Sequence, residues 1–189
     1  MKKIIIFGAT GSLAKYVIDA LKSSPELELT LFTRNKNNLK SFANTYTIAE
    51  GDALNFSDVK NAINGQEIVY VNLAGNLEIM GKNIIKAMQE SGVKRIIAIS
   101  SIGIYNSPIK SVLIPYRKLA DIIETSGLNY TILRPDWFTY NNEIDYVLTK
   151  KGEPETGSAI SRKSIAAFIA MLINNPEQYN NQNLGISKP

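Results

Sequence analysis

The sequence predicts an α/β protein with a doubly wound parallel sheet covered by helices on both faces, and three observations carry this prediction. Short β-branched runs alternate with segments of helical periodicity along most of the chain. The fifth run, residues 93–100, is apolar on both faces at its centre, as a buried parallel strand requires. Glycine-containing turns follow several runs. Because 189 residues suit one core and no linker divides the chain, we expect a single domain over residues 1–189.

Strands and helices alternate from the first residues onward. We predict strands at residues 3–7, 27–32, 46–49, 67–71, 93–100 and 129–135, with 184–186 as a candidate closing strand. We predict helices at residues 12–21, 36–43, 57–63, 76–91, 116–125 and 162–173. Residues 136–160 are expected to be irregular and to form, with the C-terminal segment, a small region on the substrate side. Right-handed βαβ connections make the sheet parallel, and ligands then bind beyond the carboxyl ends of its strands.

The composition excludes several kinds of chemistry. The chain has no Cys and no His, which removes thiol nucleophiles, the usual zinc sites and Ser-His-Asp triads together. Proton transfer must therefore use Tyr, Lys, Ser, a carboxylate or the substrate itself, and we predict no metal site. The net charge of +4 favours anionic ligands only mildly and does not predict a nucleic-acid partner.

The N-terminus superficially resembles a secretion signal. Met1, Lys2 and Lys3 precede an apolar run, but the run stops at Phe7 and is shorter than the apolar part of such a signal. We interpret it as a buried first strand. No stretch approaches the roughly 18 to 20 apolar residues that cross a bilayer. We therefore expect a cytoplasmic protein without a membrane partner.

A glycine-rich turn follows the first strand, where Gly8, Gly11 and Ala14 have the spacing G-x-x-G-x-x-A. Glycine lets a ligand approach the backbone, and free N–H groups at a helix start favour an anion. The alternative is a tight turn whose small residues serve packing. We favour a phosphate site, because the turn lies between a strand and a helix near the start of the chain. Ala14 in place of a third glycine is expected to alter helix packing more than phosphate contact. The predicted cofactor-binding residues here are Gly8, Ala9, Thr10, Gly11, Ser12 and Leu13.

The end of the second strand carries Thr33, Arg34 and Asn35, where a fold that prefers NAD usually has a carboxylate for the adenosine ribose. Arg34 can instead form paired, charge-assisted hydrogen bonds to a 2′-phosphate and lie along adenine. The alternative is a solvated arginine in a loop. These three residues predict cofactor binding with NADP(H) preferred over NAD(H).

The third and fourth strands also end in residues that suit a dinucleotide. Asp52 could meet the adenine amino group and Ala53 could line its pocket, although a plain Asx turn is almost as good an explanation. In the sequence "NLAG", Leu73, Ala74 and Gly75 would let a ribose and pyrophosphate lie close to the backbone. Each signal is weak alone, and four successive strand ends make a stronger case together.

The same residues carry a resemblance that spans nearly the whole chain. The segments "IIIFGATGSLAKYVIDAL", "LFTRN", "VKRIIAISSIGIY", "SGLNYTILRP" and "ISRKSIAAFIAMLINNP" occur in the order typical of atypical short-chain dehydrogenase/reductases of the NmrA-like, NAD(P)H-binding group. The resemblance implies a Rossmann-type fold and NADP(H) binding. It also implies either reductase activity on small quinones, flavins or carbonyl compounds, or a redox-sensing role.

The catalytic residues of the resembled family are only partly present. The general mechanism of that family uses a Tyr acid/base, a Lys four residues later and a Ser that orients the substrate. Lys118 matches the Lys, but Ile114 stands at the position of the Tyr. Ser101 matches the Ser, and Tyr105 could supply a phenol from an unusual direction. The alternatives are a solvated lysine, a satisfied loop hydroxyl and a packing aromatic.

The predicted site therefore has a catalytic set and a cofactor set at its nicotinamide end. The resemblance assigns catalytic roles to Ser101 and Lys118, and the position of Tyr105 in a loop after the fifth strand makes it the third catalytic candidate. Lys118 could also bind the cofactor ribose, and Ser100 and Pro135, at the ends of the fifth and sixth strands, complete the predicted cofactor-binding residues. The aromatic side chains of residues 136–138 suit a flat, conjugated substrate, and equally a loop folded over the core.

Two functions fit these observations. The first is NADPH-dependent reduction of a small, possibly planar conjugated acceptor such as a quinone or flavin, for which solvent can protonate the product. A simple alcohol dehydrogenase fits less well, because its alcohol must lose a proton as hydride leaves. The second is a non-catalytic NADP(H) sensor that acts through a protein partner. A monomer and a homodimer are both compatible with the sequence.

Overall fold

The computed structural model describes all residues 1–189 and contains ten strands and five α-helices. The strands are β1 (Lys2–Phe7), β2 (Leu27–Thr33), β3 (Thr47–Glu50), β4 (Ile68–Val71), β5 (Arg95–Ile99), β6 (Asn129–Pro135), β7 (Phe138–Thr139), β8 (Val147–Lys150), β9 (Ile160–Ser161) and β10 (Gln182–Ser187). The α-helices are α1 (Ser12–Leu21), α2 (Phe56–Ile63), α3 (Leu77–Ser91), α4 (Ile114–Glu124) and α5 (Arg162–Asn174).

Eight strands form one sheet in the order β3-β2-β1-β4-β5-β6-β10-β8, and β7 pairs with β9 in a separate two-stranded sheet. All neighbours in the large sheet are parallel except β8, which runs antiparallel to β10. The chain builds outward from β1 through β3 on one side and from β4 through β6 on the other. The strand order therefore reverses between β1 and β4, and the predicted doubly wound α/β fold is confirmed.

Both faces of the sheet are buried, as the apolar strands require. In β1, Ile4 and Ile6 belong to the core beneath α1 and α5, whereas Ile5 and Phe7 belong to the core beneath α2, α3 and α4. Neighbouring residues of a strand point to opposite faces, so this alternation supplies two cores from a single run. All four side chains are 0% exposed.

The helices begin and end where local chemistry favours it. In α1 the apolar positions Leu13, Val17 and Leu21 recur at helical spacing and are buried. The Asn55 side chain caps α2 by accepting hydrogen bonds from the Ser57 and Asp58 N–H groups. These ends place the first turn of each helix near the carboxyl edge of the sheet.

Two expectations about secondary structure need correction. Residues Lys36–Phe42 form a 3₁₀ helix with non-helical backbone angles at Leu39, in place of the predicted α-helix. Residues 136–160 contain three short strands, of which β8 extends the main sheet. The strand partner of β8 is β10, more than 30 residues away, and local patterning carries no signal for such a pairing.

None of the helices combines the length and the apolar character that a bilayer-crossing helix needs.

Candidate functional site

A cavity of about 820 Å³ opens at the carboxyl edge of the sheet, beyond the ends of β1, β4, β5 and β6. This volume lies within the range of small-molecule sites in proteins, roughly 300–1,000 Å³. The edge is also where the strand order reverses, which is the usual position of ligands in such sheets. Eight of the predicted site residues line this cavity: Gly11, Ser12, Leu13, Leu73, Ala74, Ser100, Ser101 and Pro135.

The glycine turn after β1 is built for close backbone approach. Gly8 has a φ of +81°, and a Cβ at this position would lie 2.0 Å from the backbone carbonyl oxygen of Asn72, just after β4. The Gly11 N–H donates to the Gly8 carbonyl oxygen (2.9 Å), which closes the turn. Only glycine fits at position 8, because both the backbone angle and the space exclude a side chain.

The turn leads into an uncapped helix. Gly11 is the N-cap of α1, no side chain caps its N–H groups, and the first turn has no acidic residue. Gly11, Ser12 and Leu13 line the cavity, whereas Ala9 is fully buried and Thr10 is exposed. Unpaired N–H groups and the helix dipole make this end a suitable place for an anion. The turn therefore fits the phosphates of a dinucleotide.

A guanidinium group from the far end of the sequence lies against this turn. Arg162, the first residue of α5, is 8% exposed and lines the cavity. Its Nε donates to Ser12 Oγ (3.2 Å) and its Nη1 donates to the Thr139 carbonyl oxygen (3.0 Å). The guanidinium lies 4.0 Å from the centroid of the Tyr140 ring and 5.2 Å from that of Phe138. Sequence analysis did not single out this residue.

The residues predicted after β2 lie on the same edge of the sheet, outside the cavity lining. The Thr33 hydroxyl donates to the Asn35 carbonyl oxygen (3.1 Å), and the Asn35 side chain accepts from the Asn37 N–H (2.9 Å). Arg34 is exposed. The nearby Glu50 carboxylate accepts from the Lys36 N–H (2.9 Å) and lies 3.8 Å from the Lys36 ammonium. The free charge at this strand end is therefore positive.

Three further predicted residues, Asp52, Ala53 and Gly75, also lie outside the cavity lining. One Asp52 carboxylate oxygen accepts from the Leu54 N–H (2.9 Å), so the Asx turn that we had considered as the alternative is present. Ala53 is buried, and its carbonyl oxygen accepts from the Asn83 side chain (3.0 Å). Gly75 has a φ of +98° in the loop before α3. Local structure accounts for all three.

The two serines after β5 lie together at the other end of the cavity. The Ser100 hydroxyl donates to the Tyr116 carbonyl oxygen (3.3 Å) and is buried. The Ser101 hydroxyl donates to the Ile102 carbonyl oxygen (3.2 Å) and is half-buried. A hydroxyl with a single, rather long intramolecular bond can turn toward a ligand, because its rotation is little restrained. Pro135, at the end of β6, forms the adjoining wall.

Lys118 lies outside the cavity lining. Its ammonium group pairs with the Glu78 carboxylate at the start of α3, and about half of its side chain is exposed. The hydrogen bond from Lys118, followed by that from Lys82, lowers the pKa of Glu78 to about 2. In this conformation the charge of Lys118 is compensated on the surface between α3 and α4.

Tyr105 also lies outside the cavity lining, in a polar cluster under the sheet edge. Its hydroxyl accepts a hydrogen bond from the Asn183 side chain (2.7 Å), and the guanidinium of Arg117 lies 4.7 Å from its ring centroid. Burial, with a contribution from the Glu124 charge, raises the pKa of Tyr105. The phenol is therefore protonated at neutral pH, and Tyr105 does not line the cavity.

Several cavity residues escaped sequence analysis. Tyr116 lies on a different face of α4 from Lys118, as its spacing indicates, and its face is the one that meets the cavity. Lys110 and Val112 come from the segment before α4, where Ser111–Leu113 form a short 3₁₀ helix, and Asn72 and Asn106 add amide groups. Loops between elements carry no periodic pattern, so only the folded chain reveals which of their residues face inward.

The fold and the cavity together define an α/β protein of the dinucleotide-binding class. Comparison with known proteins sharpens this assignment. A family model described as NAD(P)H-binding matches residues 8–176, and the chain belongs to this family. NAD(P)H binding, which the motifs and the resemblance predict, is thus confirmed at the level of the family.

Three similar proteins are informative. A Rossmann-fold NAD(P)-binding family protein from Shigella flexneri is 43% identical, with a TM-score of 0.92 over 100% of this chain and 94% of that one. A short-chain dehydrogenase/reductase from Veillonella parvula in complex with NADP is 23% identical, with a TM-score of 0.90 over 100% and 95% of the two chains. Quinone oxidoreductase 2 of Escherichia coli (strain K12) is 28% identical over 143 residues, 73% of this chain and 50% of the relative. The chain spans about half the length of the curated relatives it matches.

Proposed function

We propose that the protein is an NADPH-dependent reductase of a small, planar, conjugated acceptor such as a quinone or a flavin. The observation that carries the proposal is one cavity with two chemically different ends. An uncapped helix start and a buried guanidinium lie at one end, and two serine hydroxyls and a tyrosine lie at the other. This arrangement suits a ligand that carries phosphates at one end and a reactive ring at the other.

The glycine turn would hold the diphosphate, and the end of β2 would hold the adenosine. Arg34 is exposed there, and the neighbouring Glu50 carboxylate is paired with Lys36. A guanidinium forms bidentate, charge-assisted bonds to phosphate, which a ribose hydroxyl cannot match. This contrast supports a preference for NADPH over NADH. The NADP complex of the Veillonella parvula relative has the same fold and is consistent with it.

The bound cofactor would supply a hydride, so that acceptor, NADPH and one proton give reduced acceptor and NADP⁺. Ser101 would orient the acceptor by donating a hydrogen bond to a carbonyl oxygen or ring nitrogen. Tyr116 lines the same end of the cavity. A quinone or flavin needs no strong acid at the moment of transfer, since water can protonate its anion. Ile114 stands where the family has its Tyr acid, and an acceptor that needs no strong acid is consistent with this difference.

The mouth of the cavity supports a flat, apolar acceptor. Trp137 is 82% exposed and Val112 is 69% exposed, and both line the cavity. Exposed apolar side chains rimmed by polar groups commonly mark a binding surface. We assign Trp137 and Phe138, in the substrate-side region of residues 136–160, to contact with the acceptor ring. The name of the quinone oxidoreductase relative points to the same class of acceptor.

A sensor without turnover is the second candidate. The placement of Lys118 beside Glu78 favours it, because this lysine is then unavailable to the cofactor ribose. In that case cofactor binding would be retained and no acceptor would be reduced.

Steady-state oxidation of NADPH, followed at 340 nm with a panel of quinones and free flavins, separates the two candidates. The reductase predicts turnover with at least one acceptor and a faster reaction with NADPH than with NADH. The S101A variant should lower kcat by about 10-fold, because one hydrogen bond to the reacting group is lost. Binding of NADPH with no oxidation in any mixture would favour the sensor and contradict the reductase.

A further inference from the structure

We propose that Arg162 binds the diphosphate of the cofactor, so that the last helix of the chain completes the phosphate site at the first turn. The inference rests on the proposed binding of NADP(H) and adds a residue about 150 positions away from the glycine turn. It starts from the buried positive charge of Arg162, whose two hydrogen-bond acceptors within the protein are both uncharged.

The guanidinium is buried against neutral acceptors only. Arg162 is 8% exposed, and its two hydrogen-bond acceptors are the Ser12 hydroxyl and the Thr139 carbonyl oxygen. A buried charge is costly unless an opposite charge or a full set of hydrogen bonds compensates it. A guanidinium has five N–H donors, and the bonds to Ser12 and Thr139 engage one each at Nε and Nη1. The remaining donors are available to a ligand in the cavity.

The surroundings of Arg162 add positive potential. The N-terminus of α1 lies next to it through Ser12, and neither α1 nor α5 has an acidic residue in its first turn. The one carboxylate among the cavity residues, Asp136, accepts a hydrogen bond from the Trp137 N–H (2.6 Å). A helix start and a guanidinium side by side repel each other unless an anion lies between them. The diphosphate carries the two negative charges that this position needs.

The guanidinium is also held in one orientation. The guanidinium carbon lies over the rings of Tyr140 and Phe138, 4.0 Å and 5.2 Å from their centroids. The bond to Thr139 fixes it further. A planar fork that is already oriented loses little conformational freedom when it binds a phosphate. This contact also joins the substrate-side segment around residues 138–140 to the cofactor.

An anionic group on the acceptor is the other ligand that Arg162 could take. The bond to Ser12 places the guanidinium at the glycine turn, whereas the acceptor end is formed by Ser101 and Tyr116 from other elements. The geometry therefore points to the cofactor. The experiment needs a ligand that carries the diphosphate and lacks the nicotinamide, and 2′-phospho-ADP-ribose is such a ligand.

The test compares wild type with R162Q, R162K and the control K163Q. Lys163 is the next residue of α5 and is exposed, so K163Q removes one positive charge from the same helix outside the cavity. Binding of NADPH and of 2′-phospho-ADP-ribose is measured by calorimetry and by quenching of Trp137, the single tryptophan, which lines the cavity. Thermal melting shows that each variant is folded. R162K keeps the charge and carries the test if R162Q does not fold.

We expect R162Q to weaken both ligands by about 10- to 100-fold, the loss typical of one charge-assisted hydrogen bond. R162K should be intermediate, and K163Q should match wild type within about 2-fold, as expected of an exposed charge outside the site. Unchanged affinity of folded R162Q or R162K for 2′-phospho-ADP-ribose would overturn the assignment. If the variants raised only the KM for an anionic acceptor, Arg162 would bind the substrate and not the cofactor, which would also contradict the assignment. Failure of wild type to bind either ligand would instead contradict the proposed function.

Discussion

Replacing Gly8 with Ala tests whether the first turn is built for close backbone approach. Gly8 has a φ of +81°, and an added Cβ would lie 2.0 Å from the Asn72 carbonyl oxygen. The left-handed backbone costs a residue with a Cβ roughly 1–2 kcal/mol, and overpacking adds roughly 1–3 kcal/mol. The clashing atom is backbone at the end of β4, so relief requires movement of a central strand. We therefore expect G8A to lower the free energy of unfolding by about 2–5 kcal/mol.

The matched control is G65A. Gly65 has a φ of +78°, close to that of Gly8, and a Cβ there meets nothing within 4 Å. This variant isolates the backbone cost, so we expect a loss of about 1–2 kcal/mol. Thermal denaturation followed by far-UV circular dichroism provides the assay. At about 2–4 °C per kcal/mol for a chain of this size, G65A should lower Tm by about 2–8 °C and G8A by about 4–20 °C.

The difference in melting temperature between G8A and G65A shows whether the Asn72 carbonyl oxygen constrains position 8. We expect G8A to melt clearly below G65A and to lose the rise in Tm that NADPH gives wild type, whereas G65A should keep that rise. Equal melting temperatures would show that the approach of Asn72 does not constrain position 8. A normal NADPH-induced rise in G8A would show that the turn tolerates a side chain while it binds phosphate.

Three further substitutions test other parts of the account. R34Q should weaken NADPH by about 10- to 100-fold and NADH by less than about 2-fold, because only NADPH offers a 2′-phosphate to the guanidinium; calorimetry measures both. E155Q removes the carboxylate 2.7 Å from Arg134, whose side chain is 1% exposed, and should cost about 3–5 kcal/mol in chemical denaturation. K118M should raise the pKa of Glu78 from about 2 toward its ordinary 4.5 in a carboxyl NMR titration. Because the pKa is lowered in the folded state, this ion pair stabilises the fold above pH 4.5 and loses its effect as the pH falls toward 2, so wild type and K118M should converge in Tm over that range.

Each of these substitutions has a control or a contradicting result. R117Q removes an arginine that pairs with Asp121 outside the cavity, and it should bind both cofactors like wild type. E26Q removes an exposed carboxylate and should leave the free energy of unfolding nearly unchanged. A larger loss of NADH than of NADPH affinity in R34Q would contradict the 2′-phosphate role. An unchanged Glu78 titration in K118M would show that the lysine lies elsewhere in solution.

Local sequence patterns predicted those strands and helices whose formation depends on the spacing of nearby apolar residues. The apolar run before Gly8 gives β1 its two buried faces, and helical spacing from Leu13 to Leu21 gives α1 its bounds as predicted. Ser12 was predicted from the glycine-rich turn and Ser101 from its match to the family's Ser, and both line the same cavity because the carboxyl ends of parallel strands lie on one edge of the sheet.

Features that depend on contacts between residues far apart in the chain could not be predicted from local sequence patterns. Strand β8 joins the sheet only because β10 lies beside it, and Arg162 reaches Ser12 only because α1 and α5 pack together. Lys118 was predicted from its family position, but its ammonium pairs with Glu78, a partner 40 residues away. Spacing along a helix specifies relative faces, and the packing of the whole chain decides which face meets the cavity.

A crystal structure of the protein grown with saturating NADPH would show where each part of the cofactor binds. We expect the diphosphate at Gly11, Ser12 and Leu13 within hydrogen-bond distance of Arg162, the 2′-phosphate beside Arg34, and the nicotinamide between Ser101 and Pro135. Density for the cofactor outside this cavity, or a diphosphate turned away from the start of α1, would contradict this expectation.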